Sequence, residues 1–229
     1  MRRLPIVAID GPAGSGKSST ALAVARELGF SHFDSGAVYR AVTLVALEQL
    51  GSSRLGNAEA IVGAARSRAV AARSEAGAFT VTVGGVPAGD ALRSEAVTRE
   101  VSRVSAMPPV RDFVNGLLRA AGSQGGVVID GRDIGTVVFP DAEVKVFMVA
   151  EAEERARRRL LERGRGSDAA SVRAEAGALE ARDAHDSGRE VAPLARAADA
   201  VVLDTTRLGF EEQVRTVVAL ARAATRSAP

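Results

Sequence analysis

The sequence predicts an α/β fold, a parallel sheet of roughly five strands flanked by helices. Three observations carry this. Leu4-Pro5-Ile6-Val7-Ala8-Ile9-Asp10 is a short apolar run rich in β-branched residues and reads as a buried strand. Gly11-Pro12-Ala13-Gly14-Ser15-Gly16-Lys17-Ser18 matches G-x-x-x-x-G-K-[ST], the phosphate-cradling loop, and a helical stretch ending at Gly29 follows it. Gly125-Gly126-Val127-Val128-Ile129-Asp130 and Asp199-Ala200-Val201-Val202-Leu203-Asp204 are further apolar runs, each ending in an acid.

The loop's chemistry follows from its residue types. Gly11, Gly14 and Gly16 open backbone conformations closed to residues with a Cβ. The N–H groups can then turn inward as an anion nest, at the positive end of the next helix. Lys17 reaches terminal phosphates and the Ser18 hydroxyl suits magnesium. Lysine occurs only at Lys17 and Lys145, although Lys and Arg total 30. Where lysine stands against that bias, a compact ammonium serves better than a planar fork. Lys145, in Val144-Lys145-Val146, is expected at an exposed strand position without a function.

Composition narrows the classes. The 229 residues suffice for one large domain, and 46% hydrophobic with 25% charged residues is ordinary for a globular chain. Aromatics make up only 3%, so the core is Ala, Val, Leu and Ile, and base-stacking on single-stranded nucleic acid is disfavoured. The net charge is +2 while the isoelectric point is about 9.6, because arginine does not titrate in the relevant range. A charge of +2 offers no reason to propose a nucleic-acid partner. The absence of cysteine removes disulfides, thiolate metal sites and a cysteine nucleophile. Neither an apolar signal segment nor an uncharged membrane-length run is expected, so a cytoplasmic protein is the default. No exposed apolar stripe calls for a partner subunit, and a monomer is the expectation.

Along the chain, 30–36 reads as a strand and turn, with Asp34 or Ser35 capping a helix that runs to Leu50 and stops at Gly51. Arg40 near that helix start opposes the dipole, so spacing alone leaves it either a surface residue or a phosphate ligand. A short helix is expected near 58–65. Val70–Arg73 and Phe79–Val83 alternate with period two, and a third short strand near 86–89 follows Gly84-Gly85, which marks an antiparallel insert. Helices near 95–105 and 110–121 are expected on either side of Pro108-Pro109. After Asp130, Gly131-Arg132-Asp133-Ile134-Gly135-Thr136 is a polar cluster at a strand's carboxyl end, where open parallel sheets bind ligands. A strand over 141–149 precedes two charged helices, near 151–163 and 171–185, broken at Gly164-Arg165-Gly166-Ser167, which read as a flap or a solvated hairpin. A last helix runs from 210 to 226. Several arginines able to converge on the glycine loop point to phosphoryl transfer, in which catalysis is positioning plus charge neutralisation.

Four stretches together resemble the bacterial cytidylate kinases of the nucleoside monophosphate kinase group: Ile9–Ser18, Asp34-Ser35-Gly36-Ala37-Val38-Tyr39-Arg40, Asp130–Ala142, and Arg182-Asp183 through Val191-Ala192-Pro193-Leu194. The resemblance spans nearly the whole chain. It implies a P-loop kinase fold and a single cytidylate kinase domain over 1–229. The core would be 1–36, 122–155 and 190–229, with an NMP-binding region and its β insert over 37–121 and an Arg-rich helical lid over 156–189. It implies transfer of the γ-phosphoryl group of ATP to CMP or dCMP with Mg2+. The loop residues Gly11, Pro12, Ala13, Gly14, Ser15, Gly16, Lys17, Ser18 and Ser19 would hold ATP, with Ser18 on the metal. Arg40, Arg132 and Arg189 would meet the acceptor phosphate. Ser35, Ser102, Arg111 and Asp133 would line the cytosine pocket, and Arg182 and Asp186 would contact ribose. Arg158 would approach the transferring group from the lid, joining Lys17, Arg132 and Arg189 as the catalytic set. The segment after Asp183 is less charged than the family pattern. The competing class, an ATP-dependent switch or regulatory protein, leaves the arginine set without a purpose. A guanine-specific switch would need Asn-Lys-x-Asp, and neither Asn57 nor Asn115 precedes a lysine.

Overall fold

The computed structural model describes residues 3–75, 78–164 and 166–227. Arg165, within the expected break of the flap, lies outside them. The strands are β1 (Ile6–Asp10), β2 (Ser31–Asp34), β3 (Ala71–Glu75), β4 (Ala78–Val83), β5 (Val86–Pro87), β6 (Val127–Gly131), β7 (Val144–Val149) and β8 (Val201–Asp204). The helices are α1 (Lys17–Leu28), α2 (Ser35–Leu50), α3 (Ala58–Ser67), α4 (Glu95–Ser105), α5 (Pro108–Gly122), α6 (Ala152–Glu162), α7 (Ala169–Ser187) and α8 (Phe210–Ser227). Five strands make the main sheet, in the order β2-β6-β1-β7-β8. Two compact units form, Met1–Phe30 with Gly126–Pro229, and Ser31–Gly125.

In the first unit β1 pairs in parallel with β6 on one side and β7 on the other, with Ile9 opposite Asp130 and Val146. β7 pairs in parallel with β8. All five residues of β1 and of β6 are buried, which is why both read as unbroken apolar runs rather than alternating ones. β1 and β7 share one core with α1 and α8, built from Val7, Ile9, Val24, Val146, Met148 and Val217 among others. Every one is aliphatic, as the aromatic-poor composition requires. A smaller core joins α6 and α7 through Ala156, Leu160, Val172, Ala176 and Leu179, and Ala13 belongs to it.

The second unit holds α2 to α5 and the antiparallel sheet β3-β4-β5. Asp34 caps α2 by accepting from the Ala37 N–H at 3.1 Å. The proline pair at 108 and 109 opens α5 instead of preceding it. A first turn has spare N–H groups, so proline costs nothing there and its fixed φ suits the helix.

One further expectation gives way. Lys145 is no exposed strand residue: its side chain is 9% exposed. Its ammonium donates to the Pro140 carbonyl at 2.5 Å and to Asp199 at 2.8 Å, tying β7 to the chain ahead of β8. Within the polar cluster after β6, Ile134–Val138 forms one π-helical turn. Asp10 holds it, accepting from the Ile134 and Gly135 N–H groups, each at 2.8 Å.

Candidate functional site

The glycine loop leaves β1 at a point only glycine fits. Gly11 has φ of 151°, and a Cβ there would stand 2.2 Å from the Met148 carbonyl oxygen. The loop is braced internally and from β8's end. Ser15 Oγ donates to the Pro12 carbonyl, and the Thr205 hydroxyl donates to the Ser15 carbonyl, both at 3.0 Å. Lys17 is 7% exposed and its ammonium folds back onto the Pro12 carbonyl at 3.0 Å. Burial pushes the Lys17 pKa down to about 7, and the nearby Arg132 and Arg182 guanidinium groups push the same way against Asp130 and Asp10. A lysine so placed carries its full charge once an anion joins it.

The end of β6 supplies the facing groups. Ser18 Oγ donates to Asp130 Oδ2 at 2.5 Å. Asp133 is buried, and its charge reaches Asp10. Burial pushes the Asp10 pKa up to about 6, against the opposing pull of its two backbone hydrogen bonds. Arg132 Nε donates to Asp186 Oδ2 at 3.0 Å, and Arg189 lies 3.3 Å from the other oxygen of that carboxylate. Asp186 is therefore the shared anchor of two arginines assigned from sequence to the acceptor phosphate. Such forks match phosphate oxygens bidentately.

Arg158 stands apart from this set. Its guanidinium pairs with Glu154 at 2.9 Å and donates to the Thr205 hydroxyl at 3.0 Å and the Thr205 carbonyl at 2.5 Å. A Cβ built on Gly16 would lie 3.6 Å from it. It therefore borders the glycine loop from α6, beside Thr205.

The remaining expected residues belong to the second unit. Ser35 is buried as the first residue of α2. Arg40 donates to Thr98 Oγ1 at 3.0 Å and the Leu92 carbonyl at 3.2 Å. Arg111 is 2% exposed, donates to the Ser105 carbonyl at 2.9 Å, and lies 5.3 Å over the Tyr39 ring. Thr98, Ser102 and Ser105 follow helical spacing along one stripe of α4. That stripe gathers Arg40, Ser102 and Arg111 into one neighbourhood.

Several site residues lay beyond the expected set. Asp130, Asp10, Thr205, Arg155 and Asp183 all touch or brace the loop or the polar cluster. Asp10 and Asp130 carried a signal, each being the acid that closes a buried strand. Asp183 lay within a stretch that carried the resemblance but was given no role, and Arg155 and Thr205 carried no signal. Among the described residues no group of three or more His, Cys, Asp or Glu side chains is placed to hold a metal ion. What the arrangement offers a cation is the Ser18 hydroxyl beside the Asp130 carboxylate, two hard oxygen donors of the kind magnesium takes together with phosphate oxygens.

The family model described as cytidylate kinase matches residues 7–223. A cytidylate kinase of Streptomyces griseus is 48% identical over 217 residues, covering 94% of this chain and 91% of that protein. One of Desulfitobacterium hafniense is 46% identical over 214 residues, covering 93% and 91%. One of Streptococcus pneumoniae is 44% identical over 218 residues, covering 93% and 95%.

Proposed function

The chain belongs to the cytidylate kinase family, and from that premise we propose a division of labour among its residues for phosphorylating CMP or dCMP with ATP. The enzyme is a nucleoside monophosphate kinase: the γ-phosphoryl group of ATP passes to the acceptor, giving ADP with CDP or dCDP. The observation that supports the assignment of roles is the charge field at Lys17. Arg132 and Arg182 both bear on its ammonium, while Ser18 is bonded to Asp130.

The loop Gly11–Ser19 receives the ATP phosphates, with backbone N–H groups and the Lys17 ammonium against their charge. Ser18 and Asp130 would hold Mg2+, which would neutralise phosphate charge. Arg132 and Arg189, both secured by Asp186, take the acceptor phosphate together with Arg40. Acceptor oxygens are already anionic, so no general base is needed, and fixed arginines stabilise the charge that spreads over the phosphoryl oxygens. Arg182 and Asp186 serve the ribose. Ser35, Ser102, Arg111 and Asp133 read the base: a carboxylate accepts from the exocyclic amine of cytosine and repels the carbonyl of uracil. Arg158 serves the ATP side, since its contacts lie at Thr205 and Gly16. Residues 156–189 act as the lid and 37–121 as the acceptor-binding region. Small nucleotides are the only partners proposed. Among the described residues no helix is long and apolar enough to cross a membrane.

A coupled ADP-release assay with ATP, Mg2+ and a panel of CMP, dCMP, UMP, AMP and GMP tests this reading. Turnover confined to CMP and dCMP is expected. Acceptor-independent hydrolysis, or turnover that ignores the base, overturns it. Lys17→Ala is expected to cut turnover by about 100-fold or more with the fold retained.

A further inference from the structure

Arg155 and Asp183 enter no role above, yet they meet the glycine loop at its tip. The Ala13 N–H donates to Asp183 Oδ1 at 3.1 Å. Arg155 Nη1 donates to the Ala13 carbonyl at 2.9 Å and also to Asp183 Oδ2, closing a ring of three residues. Both polar atoms of Ala13 are thus held. Its methyl group is held too, 3% exposed within the small core of α6 and α7. The next residue abuts the same place: a Cβ on Gly14 would stand 3.0 Å from Arg155 Cβ.

We infer that Arg155 and Asp183 are a positioning pair for the phosphate loop, holding its tip at Ala13 in the shape that receives ATP. The inference rests on the ATP role of that loop. Gly11, Gly14 and Gly16 all take positive φ, so the loop is built on intrinsically permissive backbone. Left unanchored, it is ordered by ATP itself, and the ordering cost is taken from binding. An anchor between Gly11 and Gly14 meets that cost in advance. Arg155 is 6% exposed and its Nε has no hydrogen-bond partner, so its charge is balanced through Asp183. The effect is specific to the ATP side. Asp186 lies three residues along α7 and has its own bond to Arg132, separate from the Asp183 contacts.

The test measures ATP affinity by calorimetry without an acceptor, and CMP affinity in parallel, on full-length chains. Removing one charge would strand the other, so the main variant removes both: Arg155→Met with Asp183→Leu, a swap of a buried pair for apolar groups that keeps a fold intact. ATP affinity is expected to fall about tenfold or more while CMP affinity stays within about twofold. Arg155→Lys is expected to stay close to wild type, because one nitrogen makes both bonds and an ammonium can replace it. Glu175→Gln breaks the pairs to Arg159 and Arg163 that also join α6 to α7, away from the loop, and is expected to leave ATP affinity unchanged. Wild-type ATP affinity in the double variant, an equal loss for ATP and CMP, or an equal loss in Glu175→Gln overturns the inference. A wild-type chain that binds ATP but does not phosphorylate CMP overturns the acceptor assignment and leaves this inference standing.

Discussion

Ser18 and Asp130 are 112 residues apart in sequence, and their side chains meet at 2.5 Å. The first turn of α1 and the carboxyl end of β6 are brought together because β1 and β6 pair in parallel, with Ile9 opposite Asp130. The loop that follows β1 then opens beside the acid that closes β6. Asp130→Asn keeps the size of the side chain and one acceptor oxygen but loses the charge a divalent cation needs. The Mg2+ concentration for half-maximal turnover is expected to rise about tenfold or more, read from a magnesium titration at saturating ATP and CMP. An unchanged titration removes Asp130 from the cation site.

Arg132 is fixed by Asp186 and lies close enough to Lys17 to act on its charge. Arg132→Ala is expected to raise KM for CMP by about tenfold or more and KM for ATP by much less. Steady-state kinetics with each substrate varied in turn decides it. Equal rises place Arg132 on both substrates.

Asp133 is buried, its charge acts on Asp10, and it is the residue proposed to read the cytosine amine. Asp133→Asn presents an amide able to donate to a uracil carbonyl. The ratio of kcat/KM for CMP over UMP is expected to shrink by about 1–3 kcal/mol in free-energy terms. A ratio equal to wild type removes Asp133 from base selection.

Asp10 makes a pH prediction. Its folded pKa is raised by burial from 3.8 to about 6, so the folded chain binds the proton more tightly than the unfolded one across that range. Stability from this group is fully present below pH 3.8 and is lost as pH rises through 6. The loss is on the order of 2–3 kcal/mol. Urea denaturation of wild type and Asp10→Asn from pH 4 to 7 checks it. The variant is expected to lack that downward slope, and to be less stable than wild type at every pH because an amide cannot accept from both the Ile134 and Gly135 N–H groups. Parallel pH profiles for the two chains contradict the assignment.

Local pattern made much of the architecture legible. The glycine spacing marked the phosphate loop, the acid after each apolar run marked the carboxyl-terminal ends of β1, β6 and β8 to within one residue, and the α2 cap was narrowed to Asp34 or Ser35, of which the structure takes Asp34. Lys145 shows where pattern stops. A lone lysine between valines looks exposed, and only the approach of Asp199 and the Pro140 carbonyl gives it a structural task. The π-helical turn after Asp133 was illegible for the same reason, since the carboxylate that holds it is 124 residues away.

By itself the sequence determined the α/β order of elements, the anion nest and the residue types available for phosphoryl transfer. These follow from φ freedom, side-chain periodicity and charge, which act over a few residues. Tertiary structure alone decided which acid meets Ser18, that Asp186 gathers Arg132 and Arg189, that Arg158 lies at Thr205, and that Arg155 and Asp183 close on Ala13. Each of those pairings joins single residues with no repeating pattern. Chain folding sets their separation, and the energy that selects them exists only once burial has removed water from both partners.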